Sequence, residues 1–298
     1  MKNRRVHVLL IIATFVVVAI AVSAASFTTS RGQASRSKTE RTVKMTDRPR
    51  AESKAESNSS PAFNAAASQN VALRNEVTWT FGGKQQRGWH LYDLLIGKTL
   101  NTEHDPLSND FAASLSKWQK KSGLGSSGVL DQNTLMAMIS QWQRNRLKVR
   151  TPATQDQLIL APASDFYDPS RAPELRQVER KTYEAYKEMV AAAHADPALK
   201  LSSKDNYFKI ISSFRSAEYQ AQLRRKSPNA GSAGLAVNSP HFTGRALDIY
   251  VGGDPVDTKD SNRAIQVNTP AYRWLVRNAE RFGFRPYFYE PWHWEYVK

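Results

Sequence analysis

The sequence contains no cysteine and only six histidines among its 298 residues. Without thiols the chain can form neither disulfides nor thiolate metal sites, so a metal centre would need imidazole nitrogen and carboxylate oxygen ligands. Acidic residues are also outnumbered, because 27 Asp and Glu stand against 42 Lys and Arg and the formal net charge is +15. Such a charge favours polyanionic surroundings. The hydrophobic content of 41% is enough to bury a core.

One long apolar run, residues 8–25, follows the basic residues Lys2, Arg4 and Arg5 at the N-terminus. This pattern is typical of a secretory signal peptide, and the run is also just long enough for an uncleaved membrane anchor. The sequence leaves both interpretations open. Either one places the rest of the chain outside the cytoplasm, and an exported chain argues against nucleic acid as the partner of the basic charge.

Large apolar residues are almost absent from residues 26–75. A segment of that composition cannot offset the entropy cost of ordering, so the sequence predicts a disordered linker there. The sequence of residues 76–150 predicts a small, separate helical module. Its first helix carries Phe111 and Trp118 at helical spacing, and Asp131 is the expected N-cap of its second helix.

The helical module also contains a recognisable pattern of turn residues between its helices. The series W-Q…S-G-L…S-G-V-L-D…T-L resembles the peptidoglycan-binding module found on many cell-wall hydrolases, over roughly residues 89–145. A helical spacer with a packed tryptophan is the alternative.

Residues 151–298 predict an α+β fold, a mainly antiparallel sheet with flanking helices, as the last domain. Apolar periodicity and β-branched runs give its elements. The expected elements are helices at residues 173–195, at 217–224 and from Thr269 or Pro270 to Gly283, and strands at 207–214, near 284–289 and at 294–297.

Two short stretches concentrate the residues suited to catalysis. The first, residues 239–248, contains His241 and Asp248, and the second, residues 290–294, contains Glu290 and His293. Two imidazoles and one carboxylate are a standard ligand set for catalytic zinc, and a second carboxylate could accept a proton from water at such a site.

The spacing of these residues is compatible with a shared site. Gly244 lies between His241 and Asp248 and permits the backbone change that would turn both side chains to one place. Glu290 and His293 are three apart with Pro291 between them, which is typical of a type I or II turn. A Ser239–His241–Asp248 hydrolase is the alternative, but no G-x-S-x-G motif surrounds Ser239.

The pattern S-x-H-x-x-G-x-A-x-D followed by E-P-W-H resembles the zinc-dependent D-alanyl-D-alanine carboxypeptidases of the VanY type. Their wider group includes the VanX dipeptidases, the murein endopeptidase MepA and the hedgehog domain. The resemblance implies Zn²⁺ as cofactor, with His241, Asp248 and His293 as its ligands and Glu290 as the catalytic base.

A third stretch, I-S-S-F-R-S at residues 211–216, resembles the strand ending in Y-R-S of the same family. It implies that Arg215 steadies the developing oxyanion, while Phe214 replaces the usual tyrosine. Ser239 is expected to support a ligand or the substrate by hydrogen bonding. Trp292 is a possible substrate wall, although aromatic residues beside a strand are more often core.

The function implied is removal of the terminal D-alanine from peptidoglycan stem peptides in the bacterial cell envelope, in the periplasm or on the outer face of the cytoplasmic membrane. The same zinc chemistry would also serve an endopeptidase that cuts cross-links or the stem. A zinc-stabilised wall-binding protein without turnover is the alternative from another class. The sequence leaves the oligomeric state open.

Overall fold

The computed structural model describes residues 63–202, 205–228 and 236–298, which all belong to one compact unit. The predicted signal peptide or anchor at residues 8–25 and the linker up to residue 62 lie outside the described residues. Within the described ranges, no helix combines the length and the apolar character needed to span a bilayer.

The N-terminal segment, residues 63–147, is mainly helical. Ser108 and Asp131 cap two of its helices, because their side chains accept hydrogen bonds from the backbone N–H groups of Phe111 and Thr134. The cap predicted at Asp131 is therefore confirmed. The elements are α1 (Asn64–Glu76), an antiparallel hairpin of β1 (Thr78–Phe81) and β2 (Lys84–Arg87), α2 (Asp93–Leu100), α3 (Asn109–Lys121) and α4 (Gln132–Arg144).

The helix α1 occupies the last part of the predicted disordered linker. Its weak apolar pattern hides it in the sequence, since it buries alanines and one polar residue, Asn70. The Asn70 amide donates to Gly128 O at 3.0 Å, and its oxygen accepts from Leu130 N at 2.8 Å. Residues 64–75 are thus ordered by tertiary hydrogen bonds that composition alone does not reveal.

The C-terminal segment, residues 148–298, has the predicted α+β fold. Its main sheet is antiparallel with the strand order β5-β6-β8-β7, and a two-stranded antiparallel pair, β3 and β4, lies apart from it. The elements are β3 (Leu158–Leu160), β4 (Gln177–Glu179), α5 (Arg180–His194), β5 (Ile210–Ser212), α6 (Ala217–Lys226), β6 (Ala246–Ile249), α7 (Asp260–Val267), α8 (Pro270–Asn278), β7 (Phe284–Pro286) and β8 (His293–Tyr296).

The helix predicted at residues 173–195 begins only at Arg180. Residues 177–179 form β4 instead, because they pair with β3, and Glu179 then caps α5 by accepting from Thr182 N at 2.8 Å. Tertiary strand pairing has overridden the helical periodicity that included Leu175 and Val178. The strands predicted at 207–214 and 284–289 are also shorter than expected, at Ile210–Ser212 and Phe284–Pro286.

The two segments share one core. Phe288, which is 2% exposed, lies between the C-terminal sheet and the N-terminal segment. Its ring centroid is 4.8 Å from that of Phe81, 5.5 Å from that of Tyr92 and 5.9 Å from that of Trp142. The domain boundary at residue 150 stays a prediction, but the residues on its two sides pack against each other.

Candidate metal centre

The central strands of the main sheet bring two of the predicted ligands together. Asp248 on β6 lies directly opposite His293 on β8, and Ser212 on β5 lies opposite Asp248 on the other side. His241 enters from the short helical turn Pro240–Thr243 that precedes β6. The turn ends at Gly244 with φ of 66°, where an added Cβ would lie 2.9 Å from Glu179 N. Only glycine fits this position without strain.

The side chains of His241, Asp248 and His293 form a compact group. One ligand atom from each lies within 4.8 Å of the others. His293 Nδ1 is 2.9 Å from Asp248 Oδ1, and His241 Nε2 is 3.3 Å from the same oxygen. All three residues are at most 4% exposed.

The arrangement of nitrogen atoms fits a bound cation. His241 Nδ1 lies 2.7 Å from Ser213 O, so this nitrogen carries the proton and donates it. The other nitrogen, Nε2, is buried and has no hydrogen-bond partner among the described residues. A buried lone pair that points at a carboxylate suits a metal ion, and two imidazoles with one carboxylate are a zinc ligand set.

Electrostatics keeps two members of this group, His241 and Asp248, in the form that binds a metal. Burial would lower the pKa of His293, but hydrogen bonds to Asp248 and Glu295 outweigh it and raise that pKa to about 9, so the ring of His293 would lose a proton on ligation. Burial lowers the pKa of His241 to about 4, so its imidazole is neutral at physiological pH. Burial alone would raise the pKa of Asp248, but His241 and Arg215 outweigh it and hold that pKa well below its usual range. Neutral imidazole and ionised carboxylate are the protonation states that ligation requires.

The predicted turn before His293 is present. His293 N donates to Glu290 O at 2.9 Å, which closes the four-residue turn containing Pro291. Glu290 is 8% exposed, and burial raises the pKa of its carboxyl group to about 8. A cation held nearby would lower that pKa by electrostatic attraction.

A cavity of about 390 Å³ lies over the group. The residues proposed for metal binding and those proposed for proton transfer therefore line the same cavity. All seven site residues predicted from the sequence line this cavity, namely Arg215, Ser239, His241, Asp248, Glu290, Trp292 and His293.

Arg215 contacts Asp248, one of the predicted ligands, as well as the cavity. Its Nη2 donates to Asp248 Oδ2, and its Nε donates to Ser212 Oγ at 2.9 Å. Arg215 thus holds the oxygen of Asp248 that is turned away from the two histidines. Its role at an oxyanion stays a prediction.

Ser239 and Trp292 are buried, at 3% and 2% exposure. Ser239 Oγ accepts from His241 N at 3.3 Å, which fixes the turn that carries His241. Trp292 O accepts from Ile249 N at 2.8 Å and so ties the second stretch to the end of β6. Their contact with substrate stays a prediction.

Three charged residues at the site were not identified from the sequence. Arg146 and Arg171 line the cavity, and Glu295 lies behind His293. No local motif marks either arginine, since both come from segments that precede the ligand stretches by many residues. Glu295 could have been found from its position two residues after His293, because such residues lie on the same face of a strand.

The segment that contains the candidate metal centre is similar to a known protein family. Residues 175–298 match the family model of VanY, D-alanyl-D-alanine carboxypeptidase. These residues are a VanY-family domain. The resemblance predicted from the sequence is therefore confirmed, as is the enzyme class, a carboxypeptidase. The four residues His241, Asp248, Glu290 and His293 all lie inside the matched segment.

Three solved structures are similar to parts of the chain. The LdcB LD-carboxypeptidase shares 22% identity with a TM-score of 0.35, covering 50% of this chain and 71% of that one. A mutant of the vancomycin resistance D,D-pentapeptidase VanY in complex with Zn(II) shares 20% identity with a TM-score of 0.32, covering 53% and 89%. VanYB in complex with D-alanine-D-alanine shares 24% identity with a TM-score of 0.27, covering 47% and 86%. We found no matching chain among curated proteins.

Proposed function

We propose that this protein is a zinc-dependent D-alanyl-D-alanine carboxypeptidase that removes the terminal D-alanine from peptidoglycan stem peptides. The observation that carries the proposal is the His–Asp–His group beside a buried carboxylate in one cavity, within a VanY-family segment. His241, Asp248 and His293 would hold the zinc ion. When bound there, zinc supplies a Lewis acid for the scissile carbonyl and lowers the pKa of water.

Glu290 is the proposed general base. Glu290 lines the cavity and is buried, at 8% exposure. It would accept the proton of the attacking water at a carboxylate oxygen and return that proton to the leaving amine of D-alanine. The adjacent turn fixes Glu290 three residues before His293, so base and ligand keep a constant separation.

Arg171 favours a carboxypeptidase over an endopeptidase. It is half-buried in the cavity wall, and its Nε donates to Leu175 O at 3.1 Å. Unlike Arg146 and Arg215, it has no acidic ion-pair partner within the part of the chain that the structure describes. A guanidinium with remaining donors suits the C-terminal carboxylate that only an exopeptidase substrate presents.

The location follows from the substrate. Stem peptides of peptidoglycan lie in the cell envelope, and the signal-like residues 8–25 would deliver the chain there, cleaved or as an anchor. The helical segment before residue 150 is the proposed wall-binding module. The net positive charge of the whole chain, +15, suits an anionic envelope.

Product analysis separates the candidate functions. The zinc-loaded full chain should release one alanine from a peptide ending in D-Ala-D-Ala, detected by mass spectrometry, and should leave the same peptide intact when its C-terminus is amidated. An endopeptidase would instead separate a cross-linked muropeptide dimer, and it would tolerate the amide. Binding to wall sacculi without either product would favour the non-catalytic wall-binding protein.

A further inference from the structure

Glu295 lies directly behind one of the proposed zinc ligands. It follows His293 by two residues on β8, so both side chains are on the same face of the strand. Its Oε1 is 3.3 Å from His293 Nε2, while the other ring nitrogen, Nδ1, faces Asp248. If Nδ1 is the ligating atom, Nε2 carries the proton and donates it to Glu295.

A carboxylate in this position fixes the tautomer and the orientation of a ligating imidazole and increases its basicity. Glu295 is 0% exposed, so it cannot rely on water to stabilise its charge. The geometry therefore places a hydrogen-bond acceptor at His293 Nε2.

The groups that hold Glu295 come from the end of the N-terminal segment. Arg146 donates to Oε1 through Nη2 at 2.5 Å and through Nε at 3.1 Å, and Leu147 N donates to Oε2 at 2.9 Å. The two residues lie two and three positions after the end of α4, and they precede the VanY-matched segment, which begins at residue 175.

Arg146 is itself held in place. Its guanidinium lies 3.9 Å from the centre of the Tyr287 ring, and its Nη1 donates to Gln143 Oε1 at 3.0 Å. The chain of contacts therefore runs from α4 through Arg146 and Glu295 to His293. Paired, hydrogen-bonded charges in a buried site give orientation as well as attraction.

We propose that Glu295 is a positioning residue for His293 and that Arg146 holds Glu295, so that the N-terminal segment contributes directly to zinc affinity. This inference rests on the zinc site of the proposed function. It concerns a contact that lies partly outside the VanY-family domain.

The test is the zinc dissociation constant of the full chain, measured by competition with a chromogenic chelator. Glu295→Gln keeps the size of the side chain but removes the charge, and it should weaken zinc binding by about 10–100-fold. Arg146→Met keeps much of the packing on Tyr287 and should weaken binding by a smaller factor. Arg146→Lys should restore part of that loss because it keeps the charge with fewer donors.

Two further measurements separate positioning from a merely structural role. Arg144→Met alters an exposed arginine at the end of α4 and should stay within about twofold of wild type. The visible absorption bands of the Co²⁺-substituted protein report the ligand field, and they should shift in Glu295→Gln but not in Arg144→Met. A structural pair alone would change the stability and leave these bands in place.

Equal zinc affinities in wild type and folded Glu295→Gln would overturn the inference. If Glu295→Gln does not fold, unchanged affinities in both Arg146 variants would overturn it instead. Turnover is recorded separately, since a wild type that binds zinc without hydrolysing any stem peptide contradicts the proposed function but not the Arg146–Glu295 contact. A wild type that binds no zinc contradicts both.

Discussion

The N-terminal segment and the C-terminal sheet contribute to the same site in different ways. The sheet and the turns beside it supply residues whose chemistry is specific, because in a chain without cysteine the zinc ligands are histidines and carboxylates. The N-terminal segment supplies contacts, such as Arg146 on Glu295 and Trp142 on Phe288. The proposed function can therefore be recognised from the C-terminal segment alone. The contacts that hold the site in place come from both segments.

The largest expected effect is loss of a ligand from the sheet. His293→Ala should abolish stoichiometric zinc binding and all hydrolysis, because two protein ligands remain and the hydrogen bond to Asp248 is lost. Metal analysis of the purified variant measures this effect. His104→Ala, at an exposed position of the N-terminal segment, should keep one zinc per chain. Full zinc occupancy in His293→Ala would remove the site as described.

The next effect concerns the shared core. Phe288→Ala should lower the free energy of unfolding by about 3–5 kcal/mol, since it leaves a cavity between the segments. Denaturant unfolding followed by tryptophan fluorescence and by far-ultraviolet circular dichroism should give coincident transitions in wild type and variant. Ile265→Ala is a control at an exposed residue (57%) and should change the stability by about 0.5 kcal/mol or less.

Two separate unfolding transitions in the wild type would contradict this comparison. The segments before and after residue 150 would then be independent domains that merely touch.

The smallest expected effect lies at the cavity wall. Arg171→Met should raise KM for a peptide ending in D-Ala-D-Ala by about 10–100-fold, the loss expected for a hydrogen bond to a charged group, with a smaller change in kcat. Arg180→Met, at an exposed arginine that begins α5, is the matched control and should leave KM unchanged. Equal KM values in wild type and Arg171→Met would leave the terminal carboxylate without this partner.

The sequence predicted the elements that have a local cause. Asp131 caps α4, and Gly283, with φ of 88°, follows the helical turn after α8, because both positions depend on the backbone of their own neighbourhood. The positions of His241, Asp248, Glu290 and His293 were predictable for another reason. Each belongs to a compound pattern whose residue types zinc chemistry restricts.

The remaining features depend on distant partners. The helix α1 forms although its composition is typical of a linker, because Asn70 bonds to residues 128 and 130. Strand β4 replaces the first turns of a predicted helix because it pairs with β3. The contact between Arg146 and Glu295 joins residues 149 positions apart, and no periodicity or motif in a single sequence marks such a pair.

The central claim is that Glu290 moves a proton at a zinc site, and turnover together with metal content tests it most directly. Zinc-loaded wild type and Glu290→Gln are compared for D-alanine release from a peptide ending in D-Ala-D-Ala, with Glu188→Gln as the control at an exposed glutamate of α5. Glu290→Gln should retain one zinc per chain and lose about 10²–10⁴-fold in kcat, while Glu188→Gln should match wild type. Comparable rates in Glu290→Gln and wild type, or no release by zinc-loaded wild type, would contradict the account.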